Sequence, residues 1–297
     1  MSDPTVDRRG LAAAVLAYAL WGVFPLYWAL LAQVPALQIV AHRVIWCAVF
    51  VVSWLLLSKP GWLRHTLRSP VILRWLLTSS LLISVNWGLY IWAVTHHHVV
   101  EASLGYFINP LVSIALGVIV LKERLNRAQW LAVAIAAVGV IWLAVHNGSP
   151  PWIALTLALS FGLYGLIRKL AAVDAVPGLA IESLLLMPIG LAWLIWCAVD
   201  GSGVFAQGLL GQDALLILGG ALTALPLIGF AYAARRIPYS MVGILQYIAP
   251  TLQLLCGVLL LGEPFSAVQV VGFSCIWVAL ALYTADGLRP RRQRNSA

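Results

Sequence analysis

Few charged side chains lie inside the apolar runs of this sequence, and one of these, Arg43, is the first candidate for a functional residue. Arg43 lies roughly 10 Å into an apolar run that reads as a helix, at 1.5 Å per residue. A guanidinium at that depth is costly unless it faces water, an anion or a carboxylate. Arg43 is therefore predicted to bind a substrate carboxylate or a coupling ion. The alternatives are snorkelling toward the outer headgroups and a structural pair with Glu101.

Three other titratable residues are secondary candidates. His42 precedes Arg43, and because neighbours on a helix point about 100° apart, both are not expected to face one cavity centre. Glu182 lies near the start of a later apolar run, where it either carries a coupling proton or is a first-turn residue favoured by the helix dipole. Glu101 is expected to cap or pair at the start of a helix, with ion coupling as its alternative role.

Two prolines fall in the middle of apolar runs, at Pro110 and Pro250. Proline removes one backbone hydrogen bond, and membrane helices tolerate such breaks where protein or a wet cavity satisfies the freed carbonyl. Matched breaks mark binding sites in transporters, although a packing kink alone is the other interpretation. The predicted pathway adds the polar and aromatic neighbours Asn86, Trp87, Tyr90, Tyr106, Asn109, Gln246 and Tyr247. A pathway lined by aromatic rings and a few polar groups is suited to amphipathic organic ligands.

The elements that position these residues are predicted to be membrane-spanning helices. Of the 297 residues 62% are hydrophobic and only 9% are charged, whereas soluble chains carry about 25% charged residues. Runs near 20 residues long suffice to cross a hydrocarbon core of about 30 Å. Ten spans are predicted, at 11–31, 36–57, 71–94, 99–121, 127–145, 151–169, 178–199, 212–234, 239–261 and 266–285. The net charge of +8 does not predict a nucleic-acid partner, because the cations lie at the ends of these spans.

The distribution of Lys and Arg predicts the orientation of the chain. With the N-terminus in the cytoplasm, every Lys and Arg except Arg43 falls at a cytoplasmic segment, and none falls in an outer loop. This is the positive-inside pattern, and a wrong helix count would destroy its alternation. The sequence therefore predicts a multi-pass protein with both termini in the cytoplasm and a basic cytoplasmic tail over 286–297.

The chain also repeats itself at a constant offset that pairs Pro110 with Pro250 and Glu123 with Glu263. The two Glu residues are predicted to be structural hairpin residues. The offset divides a single membrane domain, 1–297, into five-helix halves at 11–145 and 151–285. Because five is odd, the second half must cross the membrane upside down. Inverted repeats that rock around a midplane site are the structural basis of alternating access.

No catalytic, cofactor or metal site is predicted. The four cysteines all lie in apolar runs without a C-x-x-C pair, which is typical of buried free thiols. His96, His97 and His98 are consecutive and cannot converge on one ion from a regular helix, so a polar loop is expected. No phosphate-binding glycine loop or nucleophile motif occurs, and the chain is not expected to be an enzyme.

Four segments read ALWGVFPLYWALL near the start, AHRVIW in the second span, NWGLYIWAV in the third and EASLGYFINPLVSIALGVIVLKERLNR from Glu101 to Arg127. These segments resemble the RarD-type branch of the EamA family, in the drug/metabolite transporter superfamily. The resemblance covers nearly the whole chain. It implies ten helices in inverted repeats, an inner-membrane location and transport of small molecules. It also implies that the first four helices of each half surround the pathway, with the fifth and tenth helices peripheral.

The predicted function is a secondary transporter or exporter of small polar or amphipathic metabolites or drugs, with proton coupling left open. Two alternatives belong to other classes: a membrane-embedded enzyme acting on lipid or isoprenoid substrates, and a structural or signalling membrane protein. The expected partners are a small-molecule substrate and the bilayer. The small-residue stretch Ala132 to Gly139 packs either within the bundle or against a second protomer of a homo-oligomer.

Overall fold

The structure is a computed structural model that describes residues 7–59, 61–67, 69–95, 99–146, 152–171, 173–207, 210–260 and 266–288. Every regular element within these residues is a helix. The elements are α1 (Arg8–Ala29), α2 (Ala36–Ser58), α3 (Trp62–Leu67), α4 (Pro70–Thr95), α5 (Val99–Ile119), α6 (Arg127–His146), α7 (Trp152–Leu170), α8 (Ala175–Asp200), α9 (Leu210–Ala234), α10 (Tyr239–Gln246), α11 (Ile248–Leu255), a π-helical turn (Cys256–Leu260) and α12 (Ala267–Leu288).

These helices have the length and composition of membrane spans. Eight helical stretches of the described chain are long and apolar enough to cross a bilayer. Two shorter apolar stretches, Gly105–Ile119 and Val270–Asp286, lie within α5 and α12. Large apolar side chains are exposed on the outside of the bundle, including Trp54, Leu57 and Ile189. The prediction of an all-helical integral membrane protein is confirmed. The short helix α3 was not among the predicted spans.

The ninth predicted span, 239–261, is not one regular helix within the described residues. It consists of α10, α11 and the π-helical turn, with the first break at Tyr247. Pro250 has no N–H for the carbonyl four residues earlier, that of Gln246, so the helical ladder is interrupted there. The Tyr247 N–H turns back to the Ile244 carbonyl at 3.2 Å. By contrast, α5 continues as one helix through Pro110.

The helix ends meet at two faces of the bundle. At the first, named the N-terminal face, Arg236 lies 3.4 Å from Asp7 at the start of α1, and Arg235 lies 3.1 Å from Asp174 before α8. The opposite face is named the far face. There Gln38, near the start of α2, donates to the loop after α8 at 2.8 Å. Depth along any helix can therefore be stated relative to these two faces.

Glu123 has a defined structural role at the N-terminal face. Its carboxylate accepts hydrogen bonds from the backbone N–H groups of Tyr239 (2.6 Å) and Ser240 (2.9 Å) and from the Ser240 hydroxyl (2.7 Å). These are unpaired donors at the start of α10, where a carboxylate is favoured. Glu123 thus joins the chain after α5 to α10. Its predicted counterpart Glu263 lies outside the described residues.

Helices from the first part of the chain pack mainly against helices from the second part. The main pairs are α1 with α9 and α11, α2 with α8 and α9, α4 with α7 and α8, α5 with α7 and α10, and α6 with α12. Ala132 and Ala136 are buried, and Gly139 faces Cys275 and the Gly272 carbonyl of α12. The small-residue stretch of α6 therefore packs within the chain.

Candidate functional site

A cavity of about 400 Å³ occupies the half of the bundle toward the far face. Its walls come from α1, α2, α4, α5, α7, α9, α10 and α11, and no described lining residue belongs to α6 or α12. Eight of the nineteen described lining residues are aromatic, and the polar groups are few. The lining includes Tyr18, Trp21, Trp28, Arg43, Asn86, Trp87, Tyr90, Tyr106, Asn109, Phe161, Leu227, Gln246, Pro250 and Gln253.

Arg43 is the charged residue of the described lining, and it is held in place from three sides. Its Nε donates to the Thr223 hydroxyl of α9 at 2.9 Å. Its guanidinium carbon lies 4.8 Å from the ring centre of Trp28 and 5.2 Å from that of Trp87. Two indole faces stabilise a cation without neutralising it. No carboxylate pairs with Arg43 among the residues that the structure describes. The side chain of Glu101, its predicted alternative partner, lies outside them.

Most predicted pathway residues reach the same cavity. Asn86 and Asn109 are buried within its wall, and Asn86 Nδ2 donates to the Leu157 carbonyl at 2.9 Å and the Ser160 hydroxyl at 3.0 Å. Tyr90 and Tyr106 contact each other with ring centres 5.8 Å apart. The structure brings together eight of the predicted residues: Arg43, Asn86, Trp87, Tyr90, Tyr106, Asn109, Gln246 and Pro250.

Three predicted pathway residues do not line this cavity in the described structure. His42 is buried beside the loop after α8, with its ring 4.8 Å from that of Phe205, because consecutive side chains on α2 point in different directions. Tyr247 is fully buried in the core that includes α6 and α12. Pro110 is packed where α5 approaches Gly243 of α10. The side chain of Glu101, and residues 96–98, lie outside the described residues.

The sequence did not identify several wall residues. Trp28 is the most important of these, since it stacks on Arg43 from the neighbouring helix. Tyr18, Trp21 and Phe161 form an aromatic floor, in which the ring centres of Trp21 and Phe161 are 5.9 Å apart. Gln253 Nε2 donates to the Trp21 carbonyl at 3.1 Å. Residue types alone did not separate these aromatics from the belt of interface anchors that membrane helices carry.

A second polar cluster is buried between the cavity and the N-terminal face. Glu182 of α8 lies 3.5 Å from Arg168 Nη1 of α7, and both side chains are almost fully buried. The Glu182 carboxylate also accepts from the Ser79 hydroxyl of α4 and, at 3.4 Å, from Tyr164 of α7. Arg168 was predicted only as a helix-end cation. The structure places it inside the bundle, where its Nη2 donates to the Ala175 carbonyl at 3.0 Å.

A small void of about 10 Å³ adjoins this cluster. Glu182, Cys47 and Tyr164 lie on its wall. Trp87 and Leu227 line both the void and the large cavity, so these two side chains form the partition between them. The volume corresponds to about one water molecule.

Apolar spanning helices around a polar, aromatic cavity define a multi-pass membrane protein with an internal cavity. The chain belongs to the EamA-like transporter family, whose sequence model matches residues 8–145 and, separately, residues 150–285. The resemblance seen in the sequence is therefore confirmed.

Similar proteins carry transporter or RarD names. The uncharacterized transporter YojE of Bacillus subtilis is 48% identical, over 97% of this chain and 98% of its own. The RarD proteins of Streptomyces exfoliatus and Escherichia coli are 47% and 43% identical, over 100% and 99% of this chain and 94% and 99% of their own. A solved crystal structure with 18% identity superposes with a TM-score of 0.73, over 95% of this chain and 99% of its own, which shows a shared fold.

Proposed function

We propose that this protein is a secondary transporter of the inner membrane that moves small polar or amphipathic organic anions by alternating access. The observation that carries the proposal is Arg43, a cation in an aromatic cavity without a carboxylate partner among the described residues. A cation inside a membrane-spanning bundle is stabilised by an anion, and a substrate carboxylate in the cavity would supply one at Arg43. The aromatic walls then bind the apolar body of the same ligand.

The proposed topology is ten spanning helices in two inverted halves. The separate matches of one family model to 8–145 and 150–285 support two related halves. The packing supports them as well: α1 contacts α9 and α11 as α7 contacts α4 and α5, and α2 contacts α9 as α8 contacts α4. Exchanging the two halves leaves this set of contacts unchanged, as expected for a pseudo-twofold pair.

The proposed orientation has the N-terminal face in the cytoplasm. Lys59, Arg235 and Arg236 lie at this face, and cytoplasmic loops carry an excess of such cations. The large cavity then occupies the outer half of the protein, with closed packing between it and the cytoplasm. In alternating access this is the outward-facing arrangement, and a substrate anion at Arg43 exchanges with the outer side.

A retention assay tests the function. Purified protein is reconstituted into liposomes loaded with a mixed metabolite extract, with and without an imposed pH gradient, and depletion is read by mass spectrometry. We expect selective loss of carboxylate-bearing amphipathic compounds. Dependence on the gradient would show proton coupling, and its absence would show facilitated transport.

Two variants make the assay specific for the site. Arg43→Ala removes the cation, and we expect depletion to fall to the level of loaded liposomes that contain no protein. Lys59→Ala is the matched control, since this cation is exposed at the N-terminal face, and it should transport as the wild type does. Selective depletion that Arg43→Ala leaves unchanged would contradict the proposed site. No selective depletion by folded wild-type protein would contradict transport and turn attention to the enzyme or signalling alternatives.

A further inference from the structure

The buried Arg168–Glu182 pair occupies a special position in the fold. The offset that pairs Pro110 with Pro250 also aligns Arg168 with Trp28 and Glu182 with His42. The pair therefore stands, in the second half, where Trp28 and the start of α2 stand in the first. Trp28 borders the open cavity, whereas Arg168 and Glu182 lie in closed packing toward the N-terminal face.

The pair joins three helices from both parts of the chain. Arg168 and Tyr164 belong to α7, Glu182 to α8, and Ser79 to α4, and all of them direct polar atoms at one carboxylate. Gly178 of α8 leaves the room for the guanidinium, since a Cβ there would collide with it. Breaking a buried pair by neutralising one partner is strongly unfavourable, because the other charge stays buried without compensation.

A route for a proton leads to this carboxylate from the large cavity. Among the described residues, Trp87 and Leu227 alone are shared by the walls of the cavity and of the void that touches Glu182. The void has room for about one water molecule, and side-chain motion of Trp87, one of the two residues of the partition, is the step that would connect it to the cavity. A single layer of side chains thus separates the void beside Glu182 from the large cavity.

We propose that Glu182 is a proton-binding site, reached from the cavity past Trp87, whose protonation releases Arg168 and opens the N-terminal face of the pathway. This inference rests on the proposed transport function and deepens it. A proton passes from water in the void to a carboxylate oxygen of Glu182, which leaves a neutral acid beside an uncompensated guanidinium. Opening the bundle lets water solvate Arg168, and the proton then leaves on the N-terminal side.

The groups around Glu182 are consistent with a single titrating carboxylate. On α7 these are Arg168 and Tyr164, and on α4 the contact is the Ser79 hydroxyl. On α2 the titratable group is the Cys47 thiol on the void wall, which accepts from Ser183 at 3.4 Å. The contribution of α9 is apolar, through Leu227. No second carboxylate lines the void among the described residues.

Thiol labelling tests the inference without a substrate. The four native cysteines are replaced, and Leu179→Cys reports on the N-terminal side of the cluster, since Leu179 is buried on the void wall. A membrane-impermeant methanethiosulfonate is applied to inverted membrane vesicles and, separately, to spheroplasts. We expect labelling in inverted vesicles to rise about tenfold from about pH 8 to about pH 6 relative to an exposed reference cysteine. That reference is Lys59→Cys at the N-terminal face.

Glu182→Gln isolates the titrating group. Its side chain mimics the protonated acid, so Leu179→Cys should label fast at both pH values. If the Glu182→Gln variant does not fold, the Arg168→Lys variant is used in its place. The more weakly pairing ammonium favours protonation of Glu182, so the rise should begin at higher pH than in the wild type.

Two results would overturn the inference. One is normalised labelling that does not change with pH in the wild type, and the other is a Glu182→Gln variant that keeps the wild-type pH response. The retention assay separates this failure from that of the transport proposal. Selective depletion with pH-independent labelling contradicts the proton site alone, whereas pH-dependent labelling without depletion supports the proton site and contradicts transport.

Discussion

Arg43 and Arg168 are two cations inside the bundle, and their surroundings differ. Arg43 lies in the half toward the far face, between two indole rings and against a hydroxyl, on the wall of a cavity of about 400 Å³. Arg168 lies toward the N-terminal face, 3.5 Å from Glu182 and 1% exposed. The first cation lines the cavity, and the second is paired with an internal carboxylate. The described bundle thus presents one open and one closed charged site.

The largest expected effect separates these two cations by stability. Arg168→Ala leaves Glu182 buried without its counter-charge, and we expect a loss of about 3–5 kcal/mol in the free energy of unfolding. Arg43→Ala removes stacking but also a costly desolvated charge, so its loss should be no more than about 1 kcal/mol. Thermal unfolding in detergent measures both. The double variant Arg168→Met with Glu182→Leu should recover most of the stability. Equal losses of stability for Arg168→Ala and Arg43→Ala would contradict the difference between the two sites.

A smaller effect is expected at Gly178, which shapes the closed site. Gly178→Ala places a methyl group against the Arg168 guanidinium, and overpacking of this kind costs about 1–3 kcal/mol. Gly88→Ala is the control, because Gly88 is also inside a helix but has nothing within 4 Å of an added Cβ. It should be neutral or stabilising by up to about 1 kcal/mol. A Gly178→Ala protein that unfolds at the wild-type temperature would show that the pair tolerates displacement.

The smallest effect concerns Trp87, which contacts Arg43 and separates the two sites. Trp87→Leu removes one of the two indole faces on the guanidinium. Loss of a cation–π contact worth about 0.5–1 kcal/mol weakens ligand binding by about two- to fivefold. The half-saturating concentration of whichever compound the liposomes release measures this. Trp54→Leu, at a ring 65% exposed on the outside, is the matched control and should change nothing.

Local composition was enough to predict most of the helices. A span is defined by a run of apolar residues and by the breakers and cations at its ends, and these signals are local in sequence. The break at Tyr247 was harder, because Pro110 and Pro250 look alike in sequence, yet only the second interrupts its helix in the described structure. Which way a proline-containing helix responds depends on the neighbours that satisfy the freed carbonyl.

The sites show the same division between local and tertiary information. Arg43 could be selected from the sequence because a charge deep in an apolar run is costly wherever it points. Arg168 could not, because two residues separate it from the end of α7 and a helix-end cation is unremarkable there. Its burial arises from α8, whose Gly178 and Glu182 fold over it.

The central claim is that Arg43 recognises an anionic group, and a matched ligand series tests it most directly. Binding of an amphipathic aromatic carboxylate, its neutral amide and its cationic amine would be compared by titration calorimetry in wild type and in Arg43→Gln. We expect the carboxylate to bind the wild type at least about tenfold more tightly than the amide, with the amine weakest, since a charge-assisted contact is worth about 1.5–3 kcal/mol. In Arg43→Gln this preference should disappear. A wild type that prefers the amine, or a variant that keeps the full preference for the carboxylate, would contradict the account.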